Sequence, residues 1–518
     1  MQGVAPVDRE LWDAESVCGH LVPKGSVFAF LAEHRGELFP EVMFSDMFPA
    51  CGGRPSVPAD VMAAAIVLQK LHGLSDRDTA EAVCCDLRWK IACGLALSDS
   101  GFHPTTLLYW RRRLAASARP NRIFEAVAAV ISATGVLAGK TRRVLDSTVL
   151  EDAVATQDTV IQLIAAIRRV GRDVAGAAEL IGGLCSAHDY TDPGKPAIAW
   201  DDPVARAELI DALVGDAHRL LAGLEDCDLD AAGGEAVGLL ALVAGQDVEP
   251  GEGSDGTDGR WRIARRVAAD RVISVHDPDT RHGHKTVHQR TDGYKAHVAV
   301  EPDTGLVTDC TLRPASGAEN HEAAVGVELL AREHPGLQIL ADSAYGTASA
   351  RIALGEAGHD AVIKPPPLRA PVAGGFTRDD FRVDEAAGEV TCPAGHTVSI
   401  TSARNAVFGH RCRNCPLRAQ CTTSTQGKTL RLHTHHSVLF AARRQAETPE
   451  FQTVYRHHRP MVERSIAWLV RGNRRLRYRG TAKNDWWLRH RVAAINLRRL
   501  ITLGLDNING TWTIPATT

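Results

Sequence analysis

The apolar run "PADVMAAAIVLQKLHG" predicts a helix that opens at Pro58 and stops at Gly73, where a left-handed C-cap is expected. A second helix should begin at once, because Ser75 with Asp78 resembles a capping box ahead of "TAEAVCCDLRWKIACG". Pro104 starts a third, "PTTLLYWRRRL", which carries Arg111, Arg112 and Arg113 on consecutive positions. Three short helices ending in a basic one fit a helix-turn-helix-like module, although small helical domains mostly bind no DNA.

Further along, the pattern changes to short β-prone apolar runs: "RRVLDSTVL" (142 to 150), "GYKAHVAVE" (293 to 301), "LVTDCTLRP" (306 to 314), "LQILAD" (337 to 342) and "DAVIKPP" (360 to 366). Helical segments are expected at 318 to 333 and 347 to 357, and the second and third runs could form a hairpin through Asp303, Thr304 and Gly305. Two insertions interrupt the series. The first starts helical and becomes acidic and glycine-rich at "AGQDVEPGEGSDGTDG", which reads as a flexible loop. The second has few long helical patterns and reads as a small β-rich or loop-rich module. With both removed the order is β-β-β-α-β-α-β-α, the element order of a ribonuclease-H-like fold. The fold class expected is mixed α/β. A helical N-terminal DNA-binding domain (1–125) precedes a ribonuclease-H-like catalytic core (140–150 plus 290–366 plus 449–505), which is interrupted by a helical and acidic insertion (151–290) and a Cys-rich insertion (367–448).

A chain of 518 residues at 44% hydrophobic can support several domains with cores of their own. Its net charge of −3 averages two unlike regions: residues 173 to 259 hold 19 acidic against 3 basic side chains, and residues 401 to 500 hold 21 basic against 4 acidic. The basic end is the candidate DNA surface. There Arg474, Arg475, Arg477 and Arg479 interleave with Tyr478, are followed by Lys483, and lack balancing acids, so phosphate contact is expected of them. No apolar run approaches the roughly 20 residues of a spanning helix, and the N-terminus lacks a basic start followed by an apolar core, so a cytoplasmic protein without membrane contact is expected. Twelve scattered cysteines, Cys84 and Cys85 adjacent among them, read as reduced thiols or metal ligands rather than disulfides.

Three acids stand out: Asp146 and Asp342, each closing an apolar run, and Glu463 among arginines on a helix. Phosphodiester cleavage builds charge on the attacking and leaving oxygens, and two divalent ions about 3.5 to 4 Å apart can stabilise both. Magnesium prefers oxygen ligands and keeps several waters, so three acids converging from rigid elements would suffice. On this reading Asp146 bridges two Mg2+ (or Mn2+) ions, Asp342 holds one and Glu463 the other. The plainer alternatives are a turn at Asp146 and Ser147, a helix cap at Asp342, and a surface Glu463 paired with Arg459. Against the last, Glu463 lies three and seven residues before Ile466 and Val470, on or beside an apolar stripe where an unpaired acid is costly. Tyr455 and Arg459 precede it at four-residue spacing and share its side of a helix.

Through "VLDSTVLED", "ILADSAYGT", "YRHHRPMVERSIAWLVRGNRRLRYRG" and "AAINLRRLITLGL", the chain resembles the bacterial insertion-sequence transposases of the DDE class. The segment "GRPSVPADVMAAAIVLQKLHGLSDRDTAEAVCCDLRWKIACGL" resembles the N-terminal helical domain of that family. The resemblance implies an enzyme that binds terminal inverted repeats, nicks the strand with metal-activated water and passes the freed 3'-hydroxyl to target DNA. It implies catalytic and metal-binding roles for Asp146, Asp342 and Glu463, DNA contacts for Tyr455 and Arg459, a homodimer on paired double-stranded DNA ends, and a bacterial, nucleoid-associated location. The Tyr455 to Arg459 gap is three residues where many relatives have two, the basic residue after the Glu is Arg471 at best, and Ser147 stands where Gly is frequent. The same acids would serve a ribonuclease-H-like nuclease without strand transfer, and a DNA-binding descendant without catalysis is the third reading.

Cys392, Cys412, Cys415 and Cys421 give C-x19-C-x2-C-x5-C, whose C-x2-C knuckle suits a structural Zn2+, with His396 or His410 able to replace one ligand; four reduced cysteines are the alternative. "HTHH" at 433 to 436 reads as solvent-exposed. Asp277, Asp279 and Arg281 match an Asp-Pro-x-x-Arg run of the family and are candidates for supporting the site or a substrate loop. Trp486 and Trp487 could stack on flipped bases but more often such a pair is helix core.

Overall fold

The computed structural model describes residues 1–3, 13–48, 55–192, 194–255, 260–264, 268, 270–286, 289–472 and 474–515. Gly53 and Arg54 of the N-terminal resemblance, Asn473 of the basic segment and residues 256–259 of the acidic run lie outside the described residues.

A six-stranded sheet organises the centre. Its main strands are β1 (Arg142–Glu151), β2 (Gln289–Val300), β3 (Val307–Pro314), β4 (Gln338–Ala341) and β5 (Asp360–Ile363). Across the sheet they run β3-β2-β1-β4-β5, and the strand Arg281–Thr286 pairs with the first half of β2. The β1–β2 and β2–β3 pairs are antiparallel, with Asp146 opposite Val298; β1–β4 and β4–β5 are parallel. This is the ribonuclease-H-like order expected from the apolar runs.

The β2–β3 hairpin turns where expected. Gly305 takes φ 71°, and the buried Glu301 carboxylate accepts from the Thr304 amide (2.7 Å) and hydroxyl (2.6 Å), so the turn satisfies its own donors. Side-chain alternation then loads both faces. Val144, Val298 and Leu340 join a core with Val462, Leu469 and the helix Thr481–Thr502, whereas Leu145, Ala299 and Ile339 join another with Val325 and Leu354. The helices on that second side are Glu322–Leu329, shorter than the expected 318 to 333 because His321 caps it, and Ala348–Glu356.

The N-terminal region contains the helices Val27–Leu38, Ala59–His72, Asp76–Cys85, Leu87–Cys93, Pro104–Ala116 and Arg122–Thr134. Gly73 is the left-handed C-cap and Ser75 with Asp78 the capping box. The single helix expected through "TAEAVCCDLRWKIACG" is two, because Asp86 leaves the helical region at ψ 117° and its side chain caps the next segment through Arg88 N–H (2.9 Å). These helices share one core with Thr481–Thr502, and Arg491 of that helix donates to the Lys70 carbonyl and to the Leu71 carbonyl (2.7 Å).

In the first insertion the helices Thr159–Asp173, Ala177–Leu184, Pro203–Gly223 and Ala231–Gln246 enclose a core that includes Leu163, Ile167, Leu213 and Leu240. The glycine-rich run is not wholly a loop: Val248–Pro250 pairs with Trp261–Ile263. The apolar Val248 and Trp261 pack on the helical core and hold that pairing. Where the insertion returns to the sheet, Thr280 Oγ1 donates to Asp152 (2.5 Å), tying exit to entry. In the second insertion a three-stranded and a two-stranded sheet pack around Phe381, Val390, Phe408 and Leu430, followed by the helix His436–Ala446. Among the described residues no helix is long and apolar enough to cross a membrane.

Candidate active site and nucleic-acid interface

Asp146 lies within β1, and its neighbour on the parallel strand is the end of β4, where Asp342 follows Ala341. One oxygen of Asp146 accepts from the Ser147 amide (2.8 Å), and the other lies 3.0 Å from Arg459 Nη2. Arg459 comes from the helix Pro449–Val470 and also donates to the Leu145 carbonyl (2.8 Å), so one guanidinium fixes strand to helix. Burial, with the nearby charge of Asp342 adding to it, holds the Asp146 carboxyl above its ordinary range even though Arg459 opposes the shift. Asp342 accepts from the Ala344 amide (3.0 Å) and caps the short turn Ser343–Tyr345. The plainer alternative, a cap on the helix after Tyr345, falls instead to Thr347, which accepts from the Ala350 amide (3.2 Å). Tyr455 stacks on Phe451 at 5.6 Å, and burial raises its phenol while Arg459 opposes.

Glu463 departs from expectation. The buried side of its helix is Phe451, Val462, Ser465 and Leu469, which leaves Glu463 exposed, one position round from the stripe. Ile466 and Val470 are only half-buried, so a carboxylate in line with them stays hydrated and the expected desolvation cost does not arise. Among the described residues no group of three or more His, Cys, Asp or Glu side chains stands close enough to hold a metal ion. Chemically, Asp146 and Asp342 suit a hard divalent ion: both offer carboxylate oxygens, and the Asp146 carboxyl stays above its ordinary range despite Arg459, so further positive charge would favour its ionised form. The third acid is not gathered with them. Pro460 stands inside the helix between Arg459 and Glu463 and removes one backbone hydrogen bond there.

The basic segment is partly spent on its own fold. Arg474 and Arg475 donate to the carbonyls of Val149 (3.1 Å) and Asp152 (3.2 Å), and Arg477 to that of Gly73 (2.9 Å). Their guanidiniums nonetheless remain on the surface, as do those of Arg471 and Arg479 and the Lys483 ammonium. On the helix Pro104–Ala116 the consecutive arginines point apart, as successive helical positions must. Arg112 is exposed and Arg113 lies over the Phe48 ring at 4.6 Å. Arg111 is held by both oxygens of Asp76, one at 2.7 Å, and is largely buried, so the DNA contact that a basic third helix suggests is corrected at Arg111 to an internal ion pair.

Cys421 belongs to the core of the second insertion, Cys392 and Cys412 pack against it, and Cys415 is half-buried. Burial and the neighbouring thiols of Cys415, Cys392 and Cys412 push Cys421 up, and Lys428 N–H donates to Cys412 Sγ at 3.5 Å. Soft thiol donors suit zinc, but the four are not closed to metal-binding distance. His433 and His435 are exposed, on a loop rather than a strand, while His436 begins a helix.

Trp486 and Trp487 are core residues, as such a pair more often is, and Trp486 Nε1 donates to the Pro120 carbonyl (3.1 Å). Asp277 accepts from Tyr294 (2.6 Å) and from the Gly480 amide (3.1 Å), Asp279 from the Thr481 amide (2.7 Å), and Arg281 donates to the Thr280 carbonyl (3.0 Å). The Asp-Pro-x-x-Arg run thus braces the start of the last long helix. Sequence reasoning missed Lys70, fully enclosed beside Tyr478; a lone lysine in the apolar run "AAAIVLQK" was the available signal.

Residues 391–501 match a family model described as a transposase DDE domain, and residues 17–113 match one described as a transposase domain (DUF772). The first match takes in the four cysteines, Tyr455, Arg459 and Glu463, and leaves the strands that carry Asp146 and Asp342 to be joined to it by the fold. No curated protein and no solved structure matches the chain. With both matches in one chain and a ribonuclease-H-like sheet between them, the protein is similar to the insertion-sequence DDE transposases.

Proposed function

We propose that the protein binds the terminal inverted repeats of its element and catalyses metal-dependent strand cleavage and strand transfer. The observation that carries this reading is the placement of Asp146 on β1 and of Asp342 just past the end of its parallel neighbour, near enough to interact electrostatically, with Arg459 of the helix that also bears Glu463 against Asp146. Asp146 and Asp342 would hold Mg2+ or Mn2+, with Glu463 as the third ligand once its helix brings it in. Bound there, the ions would supply a Lewis acid and an activated water at neutral pH.

The chain's own side chains do the rest. Arg459 keeps the Asp146 carboxylate ionised and aimed, since burial alone would favour its protonated form. Tyr455 packs beside that pair, and the surface guanidiniums of Arg474, Arg475, Arg477 and Arg479 follow on from the helix as a path for phosphates. Double-stranded DNA, as element ends and target, is the partner, engaged by a homodimer. The four thiols of Cys392, Cys412, Cys415 and Cys421 would close on one structural Zn2+.

The test is Mg2+-dependent cleavage of a labelled duplex carrying the inverted repeats that flank the coding gene, with Asp146→Asn and Glu463→Gln as controls. Cleavage at the repeat end that both variants lose, with binding kept, supports the reading; a pre-cleaved end then separates strand transfer from simple nuclease action. The exposed position of Glu463 favours a second reading, a DNA-binding descendant without catalysis. Specific binding by wild type with no cleavage would select it.

A further inference from the structure

A pocket of about 610 Å³ opens between the helix pair Ala59–His72 and Asp76–Cys85 and the basic segment, lined among others by Gln69, Lys70, Asp76, Arg77, Arg477 and Tyr478. Lys70 forms its floor and is 4% exposed. Among the described residues its ammonium has one hydrogen bond, to Tyr478 Oη at 3.5 Å, and it lies 5.0 Å from the Trp486 ring and 5.5 Å from that of Tyr478. The nearest carboxylate is already taken: Asp76 binds Arg111 through both oxygens and accepts from Gln69 (2.9 Å). A buried cation without a carboxylate of its own is short of counter-charge. Gln69 Oε1, also buried, has no partner among the described residues. At the mouth, Arg77 and Arg477 are exposed, and Arg477 continues the row of Arg474 and Arg475.

We propose that this pocket receives a phosphodiester group of the bound DNA end, with Lys70 at its floor and Arg77 and Arg477 at its mouth. The N-terminal helices and the catalytic core would thereby hold the same strand. The inference rests on the DNA-binding reading above and deepens it by naming a phosphate site outside the acidic centre.

Charge bookkeeping gives a distinctive signature. Burial first, then Arg111, pushes the Lys70 ammonium down to about 7, with Arg477 and Arg491 adding, Asp76 opposing and Tyr478 facing it. An anion in the pocket restores the proton, so binding near pH 8 should take up close to one proton.

The experiment uses the full chain and the same flanking-repeat duplex, with affinity measured across NaCl concentrations for wild type, Lys70→Gln, Arg77→Gln, Arg477→Gln and a Lys195→Gln control. Each pocket variant should lower the slope of log affinity against log salt by about 0.9, and the control should not. Calorimetry in two buffers of different ionisation heat should show proton uptake in wild type and none in Lys70→Gln. Arg77 and Arg477 are surface residues, so their variants read the pocket even where Lys70→Gln fails to fold. Unchanged slopes in both, or no proton uptake by wild type, overturns the proposal while leaving DNA binding intact; failure of wild type to bind the duplex overturns both readings. Proton uptake with inorganic phosphate alone and an unchanged DNA slope would make this a small-anion site and also overturn it.

Discussion

Arg459 Nη2 stands 3.0 Å from a carboxylate oxygen of Asp146, in a pair that is largely withdrawn from water on both sides. Removing the guanidinium leaves a buried acid next to Asp342 with only a backbone amide to hold it. Arg459→Ala should therefore raise the Asp146 pKa further, move the acid limb of the cleavage pH profile upward, and lower the rate about a hundredfold through misplacement. Arg459→Lys should recover part of the shift. A pH profile of cleavage for the two variants checks this, and an unmoved acid limb would sink the positioning role.

Pro460 interrupts the backbone ladder between that arginine and the exposed Glu463. Replacing it with alanine should restore the missing hydrogen bond and stabilise the fold by up to about 3 kcal/mol, seen as a higher Tm. If Glu463 has to swing toward the aspartates, the same change slows cleavage. A higher Tm with undiminished cleavage would show that the helix need not bend.

Two buried histidines set an acid limit on stability. His297, with neither ring nitrogen partnered among the described residues, and His490, bonded to the Trp486 carbonyl (2.7 Å), are both pushed down to about 3, chiefly by burial. Their folded pKa values lie below the unfolded value near 6.5, so the unfolded chain takes up protons that the folded chain refuses. Stability is full above about pH 6.5 and falls toward pH 3, by about 1.4 kcal/mol per pH unit for each histidine. Urea midpoints at pH 7 and pH 5 measure the slope, which His297→Leu should roughly halve.

Purified without chelator, the protein should carry about one zinc per chain, and Cys412→Ser or Cys415→Ser should lose it. Metal analysis gives the count. Limited proteolysis should then show residues 367 to 448 opening first in the stripped protein. Cysteine-independent metal content would count against a thiolate site.

Much of the central fold was legible because its strands are apolar runs with turn residues between them. The strand read at 142 to 150 is Arg142–Glu151, and the hairpin turn at Asp303 to Gly305 follows from one glycine and an acid that caps its own turn. Less legible were features decided by a single side chain. Asp86 splits a helix that periodicity alone runs through, and Asp76, far from Arg111 in sequence, claims that arginine for the interior. The exposure of Glu463 is not legible because Ile466 and Val470 look like the buried stripe, which the packing instead sets at Val462, Ser465 and Leu469. Which side of a long helix meets the sheet is a tertiary choice, and neighbouring apolar residues in one helix leave it open. Lys70 was overlooked for the opposite reason: its neighbours announced burial, and the basic segment that completes its surroundings lies four hundred residues away.

The bond from Arg491 to the Leu71 carbonyl joins positions 420 residues apart, and it has a temporal meaning. Loop closure over so long a span comes late in folding, and synthesis delivers the N-terminal helices long before the helix that completes their core. Until the chain is almost finished, the apolar flanks of Ala59–His72 and of β3 have no cover. A shortened product ending before Thr481 would leave both exposed, making it prone to aggregate rather than persist as a free DNA-binding fragment.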